Sequence, residues 1–258
     1  MIFNKKMKKQ DKHFLTIKQI YPDVISVTQP ITVGKIHDIY IAETNRQKYV
    51  CRFSNEIIAK HNLEASQILT SFNIPVPKVS IYDYGEYYCE TYQFIPGKTL
   101  HERILEGLSD EKLDNVYRQI FDISYKIAEI PCENIKPIPM PFVSKVLRQT
   151  IATFAPSQKK LCHTDLHAKN ILLDKQDNVR AILDLDAFSM EPMTVAYFIM
   201  LKDSQTYGYD LNRLNETLNK LNIRNIGTQI KIINTATQMY HFVFPECLRK
   251  QLLKIRVR

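Results

Sequence analysis

The sequence has no apolar run long enough to cross a bilayer. Its longest, Val195–Leu201, is far short of the roughly 20 residues that a spanning helix needs. The basic opening stretch, MIFNKKMKKQDKHF, does not lead into the roughly 7–15 apolar residues of a secretory signal. The lysines at 5, 6, 8, 9 and 12 read as a solvated, frayed end, and a soluble cytoplasmic protein is the expectation. Paired cysteine motifs are also missing. Cys51, Cys89, Cys132, Cys162 and Cys247 form no C-x-x-C and read as reduced core thiols. There is no internal repeat and no low-complexity segment. With 258 residues, 45% of them hydrophobic, the chain suits one compact unit or two lobes. The formal charge of +8 invites a nucleic-acid partner. The basic residues are spread along the chain instead of alternating with aromatics on one face, so nucleic acid is not the expected partner. An anionic nucleotide suits the charge better.

What the sequence does have is concentrated in Leu161–Asp186, LCHTDLHAKNILLDKQDNVRAILDLD. A polar loop offers His163, Asp165, His167, Lys169 and Asn170. Two short apolar runs follow, Ile171–Asp174 and Val179–Leu183, with turn residues Lys175-Gln176-Asp177-Asn178 between them. Such a hairpin would fold Asp184 back beside Asn170, gathering an acid, an amide and a second acid at strand ends. Phosphoryl transfer uses such a set: one carboxylate orients and deprotonates an attacking hydroxyl, while an amide oxygen and another carboxylate hold Mg²⁺. His163-Thr164-Asp165 through Asn170 also has the kinase catalytic-loop spacing H-x-D-x-x-x-x-N.

HTDLHAKNIL followed by ILDLDAF resembles the aminoglycoside phosphotransferase and choline kinase-like family, whose loop commonly reads H-G-D-L-H-x-x-N. The resemblance implies an α+β, protein kinase-like two-lobe fold. Residues 1–95 would form an antiparallel β-rich nucleotide-binding lobe, and residues 96–258 a mainly helical catalytic and acceptor-binding lobe. It implies ATP as donor, with GTP possible, Mg²⁺ as cofactor, and a small-molecule alcohol as acceptor. Asp165 would be the catalytic base and His163 would support the loop. Asn170 and Asp184 would bind the metal, with Asp186 the looser second acid, and Lys169 or His167 would reach the γ-phosphate. No glycine follows as in D-F-G, which favours the small-molecule kinases.

The N-terminal half fits the same frame. Helix-like spacing over Asp11–Tyr21 is followed by strand-like runs Ser26–Val33, Ile36–Glu43 and Lys48–Phe53, with Thr44-Asn45-Arg46-Gln47 as a hairpin loop. Gly34-Lys35-Ile36-His37 stands where a phosphate-covering loop belongs, with one glycine instead of three. Arg52, mid-strand in YVCRFS, takes the place of the kinase strand lysine. Glu64 of the helix Glu56–Phe72 is its expected partner, and Glu56 the competing choice. Strands Lys78–Tyr84 and Glu86–Phe94 lead to Ile95-Pro96-Gly97, which resembles the family's hinge. Adenine would sit against backbone around Tyr92, Gln93 and Ile95.

Downstream, Leu113, Val116, Tyr117, Ile120, Ser124, Ile127 and Ala128 follow a helical series behind Ser109. Phe142–Phe154 and four segments between Met193 and Ile255 also read as helices. After Asp186 stand ten Lys/Arg against five Asp/Glu, which opposes a polycationic acceptor. Aromatics there, such as Tyr207, Tyr209 and Tyr240, could cage a quaternary amine. The family's D-L-A is replaced by Thr194-Val195-Ala196. That replacement, the single-glycine loop and Arg52 in place of lysine keep a nucleotide-binding pseudokinase as the alternative.

Overall fold

The structure is a computed structural model that describes residues 9–29, 38–131 and 159–192. The chain divides into two compact units, Met1–Pro96 and Gly97–Arg258.

The first unit comprises α1 (Lys9–Ile20), β1 (Val24–Thr28), β2 (Asp38–Thr44), β3 (Lys48–Ser54), α2 (Glu56–Ser71), β4 (Ser80–Asp83) and β5 (Tyr88–Gln93). The strands form one antiparallel sheet in the order β1-β2-β3-β5-β4. Turn chemistry sets the β2–β3 hairpin: the Thr44 hydroxyl donates to the Gln47 carbonyl and accepts from the Arg46 and Gln47 N–H groups. Asn55 caps α2 by accepting from the Ile58 N–H at 3.0 Å. Strand β3 is buried on both faces, because successive side chains point to opposite sides. Cys51 and Phe53 join Ile17 of α1, Tyr40, Ala42 and Cys89 in the core. Arg52 and Ser54 turn to the other face, where Asn62 of α2 reaches Glu90 of β5. Ser66 fastens the end of α2 to the following extended chain, donating to the Pro77 carbonyl and accepting from the Val79 N–H.

The second unit has β6 (Lys98–Thr99), α3 (Leu100–Leu105), α4 (Asp110–Ala128), β7 (Lys159–His163), β8 (Ile171–Leu173), β9 (Val179–Ile182) and β10 (Phe188–Pro192). Its strands form two small sheets, β6-β8-β9 and β10-β7. Thr99 and Glu102 close a capping box on α3, and Ser109 caps α4. The apolar stripe expected on α4 is buried, from Leu113 to Ala128. The β7–β10 pairing was not expected: His163 is read in the polar loop and Phe188–Pro192 has no expected element. The reason is physical, since β7 and β10 are joined only laterally and neither run alternates strongly enough to declare itself.

An ion cluster fixes the β8–β9 hairpin at its turn. Asp177, buried and left-handed at φ 64°, accepts from Arg103 Nε of α3 at 2.6 Å and Lys112 Nζ of α4 at 2.7 Å. The α+β arrangement expected from the sequence is present, with an antiparallel sheet in the N-terminal unit. The expected helix Phe142–Phe154, the four expected after residue 192, the aromatics there, Thr194-Val195-Ala196 and the Gly34 loop lie outside the described residues.

Gly97, just before β6, has no room for a side chain: a Cβ there would stand 2.4 Å from the Leu173 carbonyl oxygen and 2.9 Å from Leu172 Cγ. Gly97→Ala should therefore push β6 off β8 and cost about 1–3 kcal/mol in stability. Chemical denaturation against wild type checks this, and equal midpoints would contradict the packing.

Candidate active site

The candidate loop is held by a neutral imidazole. His163, at the end of β7 and fully buried, has its Nε2 2.9 Å from the Leu183 carbonyl, and its Nδ1 accepts the Asp165 N–H at 3.1 Å. Both bonds are satisfied only with the proton on Nε2. Burial pushes its pKa down to about 4, although the Leu183 carbonyl favours the charged form. Phe188 meets the ring edge-to-face at 4.7 Å.

Asp165 leaves this anchor with its side chain about half exposed. Its surroundings raise its pKa by desolvation, but the hydrogen bond and charge of His167 outweigh that, and the net shift is downward. His167 Nε2 lies 3.5 Å from Asp165 Oδ2, while its Nδ1 accepts from the Lys169 N–H at 3.2 Å. His167 therefore faces the carboxylate, and the Lys169 side chain is exposed. Asn170 donates from Nδ2 to the Asp165 carbonyl at 3.0 Å, with His167 Nε2 at 3.4 Å from the same nitrogen. Its contacts go through nitrogen, which leaves Oδ1 as the atom available to a cation.

The hairpin closes this set. Ile171 pairs with Ile182 and Leu172 with Ala181, and the Leu183 N–H donates to the Asn170 carbonyl at 2.8 Å. At the far end the Asp174 carboxylate accepts from the Gln176 and Asn178 N–H groups. Asp184 comes back beside Asn170 in a left-handed conformation, φ 65° and ψ 64°. A non-glycine residue there carries about 1–2 kcal/mol of backbone strain and persists only where its neighbours impose it. The Ala187 N–H donates to the Asp184 carbonyl at 3.1 Å, and the Thr164 N–H and hydroxyl both donate to the Ala187 carbonyl at 2.8 Å. Asp186 lies in the short turn Leu185–Ala187 that leads into β10. Among the described residues no cluster of three or more His, Cys, Asp or Glu side chains could hold a metal by itself. One amide and one carboxylate suit an ion that takes most of its shell from phosphate and water.

In the first unit, Arg52 is buried on β3, but the expected partner is not beside it. Glu64 is exposed on α2, and Glu56 is engaged with Lys60 at 2.6 Å. Among the described contacts, Glu90 of β5 stands near Arg52, with Oε1 4.0 Å from Nε. Helix geometry explains the correction. Asn62 faces the sheet and donates to Glu90, and Glu64, two residues on, is turned by roughly 200°. The available signal was a glutamate centred in the strand YCETYQ, opposite an arginine centred in YVCRFS.

The hinge segment has an orientation as well. The Phe94 N–H donates to the Lys48 carbonyl at 2.8 Å, so Phe94 faces β3. By alternation the backbone groups of Gln93, opposite Tyr49, face away from β3. On that side the last β4 partner is Ser80, opposite Thr91. Tyr92 and Ile95 flank this position, both half-buried.

A model of the phosphotransferase enzyme family matches residues 140–214, taking in the loop and the hairpin. That segment, under a third of the chain, is similar to the phosphotransferase enzyme family. No curated protein matches the chain by sequence. Solved structures do match by fold. The ADP-bound aminoglycoside phosphotransferase APH(2'')-Ib is 14% identical with TM-score 0.65, covering 96% of each chain. A thermostable mutant of APH(4)-Ia with AMP-PNP and hygromycin B is 14% identical with TM-score 0.61, over 88% of this chain and 90% of its own. Spectinomycin phosphotransferase APH(9)-Ia with ADP and spectinomycin is 12% identical with TM-score 0.57, over 89% and 94%. The fold of the chain is accordingly the protein kinase-like α+β fold of these structures. No helix among its described residues is long and apolar enough to cross a membrane.

The depressed His163 pKa has a pH signature. The native state favours the neutral ring, so its contribution to stability is complete above the ordinary value of 6.5 and is lost as pH falls toward about 4. A shift of this size corresponds to on the order of 3 kcal/mol. Denaturation at stepped pH should show wild type losing stability across that window more steeply than His163→Gln, by about one proton. Parallel curves would rule out the buried neutral ring.

Proposed function

We propose that the protein is an ATP-dependent phosphotransferase that moves the γ-phosphoryl group to a hydroxyl of a small molecule. The observation that carries this reading is the convergence of Asp165, Asn170 and Asp184 through the Asn170–Asp165 and Leu183–Asn170 hydrogen bonds. Asp165, half exposed and held ionised by His167, orients the acceptor hydroxyl and takes its proton. His163 fixes the backbone from which Asp165 projects. Asn170 and Asp184 would hold Mg²⁺, which when bound neutralises the charge on the donor phosphates. Within the first unit, Arg52 is the candidate for contacting phosphate, and the backbone of Gln93 and Ile95 the candidate for the base. Relatives of the same fold have been solved with ADP or AMP-PNP, which favours ATP as the donor.

The acceptor is an alcohol that is not strongly cationic. The named relatives are phosphotransferases of aminoglycosides and spectinomycin, but the segment after Asp186 here carries ten basic residues against five acidic ones. Like charges would oppose a polycation.

Thermal unfolding with ATP and with GTP, each with and without Mg²⁺, tests the nucleotide site. A ligand at 100 times its dissociation constant adds about 2.7 kcal/mol. Wild type should show a metal-dependent shift with ATP that Asp184→Ala loses. Turnover in an acceptor screen should then fall by about 10²–10⁴ in Asp165→Asn. Metal-dependent binding with no turnover for any acceptor would favour the pseudokinase, and the absence of any nucleotide shift would overturn the reading.

A further inference from the structure

The buried charge network of the first unit has no counterpart in the sequence expectation. Arg52 and Glu90 stand directly opposite each other on β3 and β5, so their side chains share one face of the sheet. Both are nearly sealed from solvent, with side chains 8% and 2% exposed. Glu90 is held at both oxygens: Ser54 Oγ donates to Oε1 at 2.5 Å and Asn62 Nδ2 donates to Oε2 at 2.6 Å. Its orientation is thereby fixed, with Oε1 4.0 Å from Arg52 Nε, an ion-pair distance and not a hydrogen bond. A buried carboxylate without such donors would cost several kcal/mol, so this arrangement is a specific one.

We propose that Glu90 is the positioning residue for Arg52, doing from the sheet what a helix glutamate would otherwise do, and that Asn62 links α2 to it as a neutral tether. This rests on the phosphate-binding role of Arg52 set out above. Strands β3 and β5 are locked by their backbone ladder, so the cation is aimed by a partner that cannot swing away with a helix. Glu64 and Glu56 of α2 play no part in holding Arg52.

The test compares Glu90→Gln, Glu64→Gln, Arg52→Gln and the Arg52→Gln/Glu90→Gln double variant in the full chain. Nucleotide affinity is read by titration with ATP–Mg²⁺, and turnover by KM for ATP and kcat. Glu90→Gln should weaken ATP by about tenfold and raise KM with little change in kcat, since it disturbs a contact made to bound ATP throughout the reaction. Glu64→Gln should match wild type within about twofold. Glu90→Gln in the Arg52→Gln background should have no further effect on ATP, because the two act as one unit. Asn62→Ala, which leaves both charges in place, should weaken ATP less, and it provides the comparison should Glu90→Gln fail to fold. Loss of affinity in Glu64→Gln with none in Glu90→Gln or Asn62→Ala would overturn the assignment. So would additive losses in the double variant. A wild type that binds no ATP defeats the phosphotransferase reading itself, and is recognised before any variant is compared.

Discussion

The candidate centre depends on one imidazole having two different nitrogens. His163 can accept the Asp165 N–H and donate to the Leu183 carbonyl only while neutral, and burial beneath Phe188 keeps it so. Together those two bonds fix the loop that carries Asp165 and Asn170 and tie it to the hairpin end that carries Asp184. Buried peptide groups need partners, and here each segment supplies the other's. The Leu183 N–H on the Asn170 carbonyl and the double donation of Thr164 to the Ala187 carbonyl complete the knot. Within that knot the left-handed backbone of Asp184 is imposed from both sides, which is why a strained residue can persist there.

Charge is handled in two ways in the two units. Asp165 is half exposed and has a histidine as neighbour, so it remains an ionised acceptor that an incoming hydroxyl can reach. Arg52 and Glu90 are sealed, and the hydrogen bonds to Glu90 and their mutual attraction help offset the cost of stripping water from them. A group that must accept a proton benefits from solvent and mobility. A group that must aim a fixed charge benefits from rigidity.

What could be read from the sequence follows how local each feature is. The loop, the β8–β9 hairpin and the return of Asp184 to Asn170 lie within one short stretch, and their turn residues declare them: Asp174 and Asp177 each do the work their residue type suggests. The caps at Asn55, Thr99 and Ser109 and the buried stripe of α4 are equally local. Lateral partners were not legible. Which acid meets Arg52 depends on the β3–β5 register and on the rotation of α2, neither of which is written in the residues around Arg52. Glu64 had the expected helix but not the right side of it. The β7–β10 pair failed for the same reason, since its two strands are joined through everything that lies between them.

These lateral contacts also limit how the site can move. Asp184 reaches β10 through only the Leu185–Ala187 turn, and β10 is laddered residue by residue onto β7 from His163–Phe188 to Lys159–Pro192. Shifting Asp184 away from Asn170 would strain the Leu183–Asn170 bond and the nearby β7–β10 ladder. The opposite end of the hairpin is tied to α3 and α4 through Asp177, which restrains pivoting of the strands. In the first unit Arg52 is braced across a continuous sheet. Each unit therefore presents its chemical groups already set, a preorganisation that avoids the cost of arranging charges during each reaction cycle.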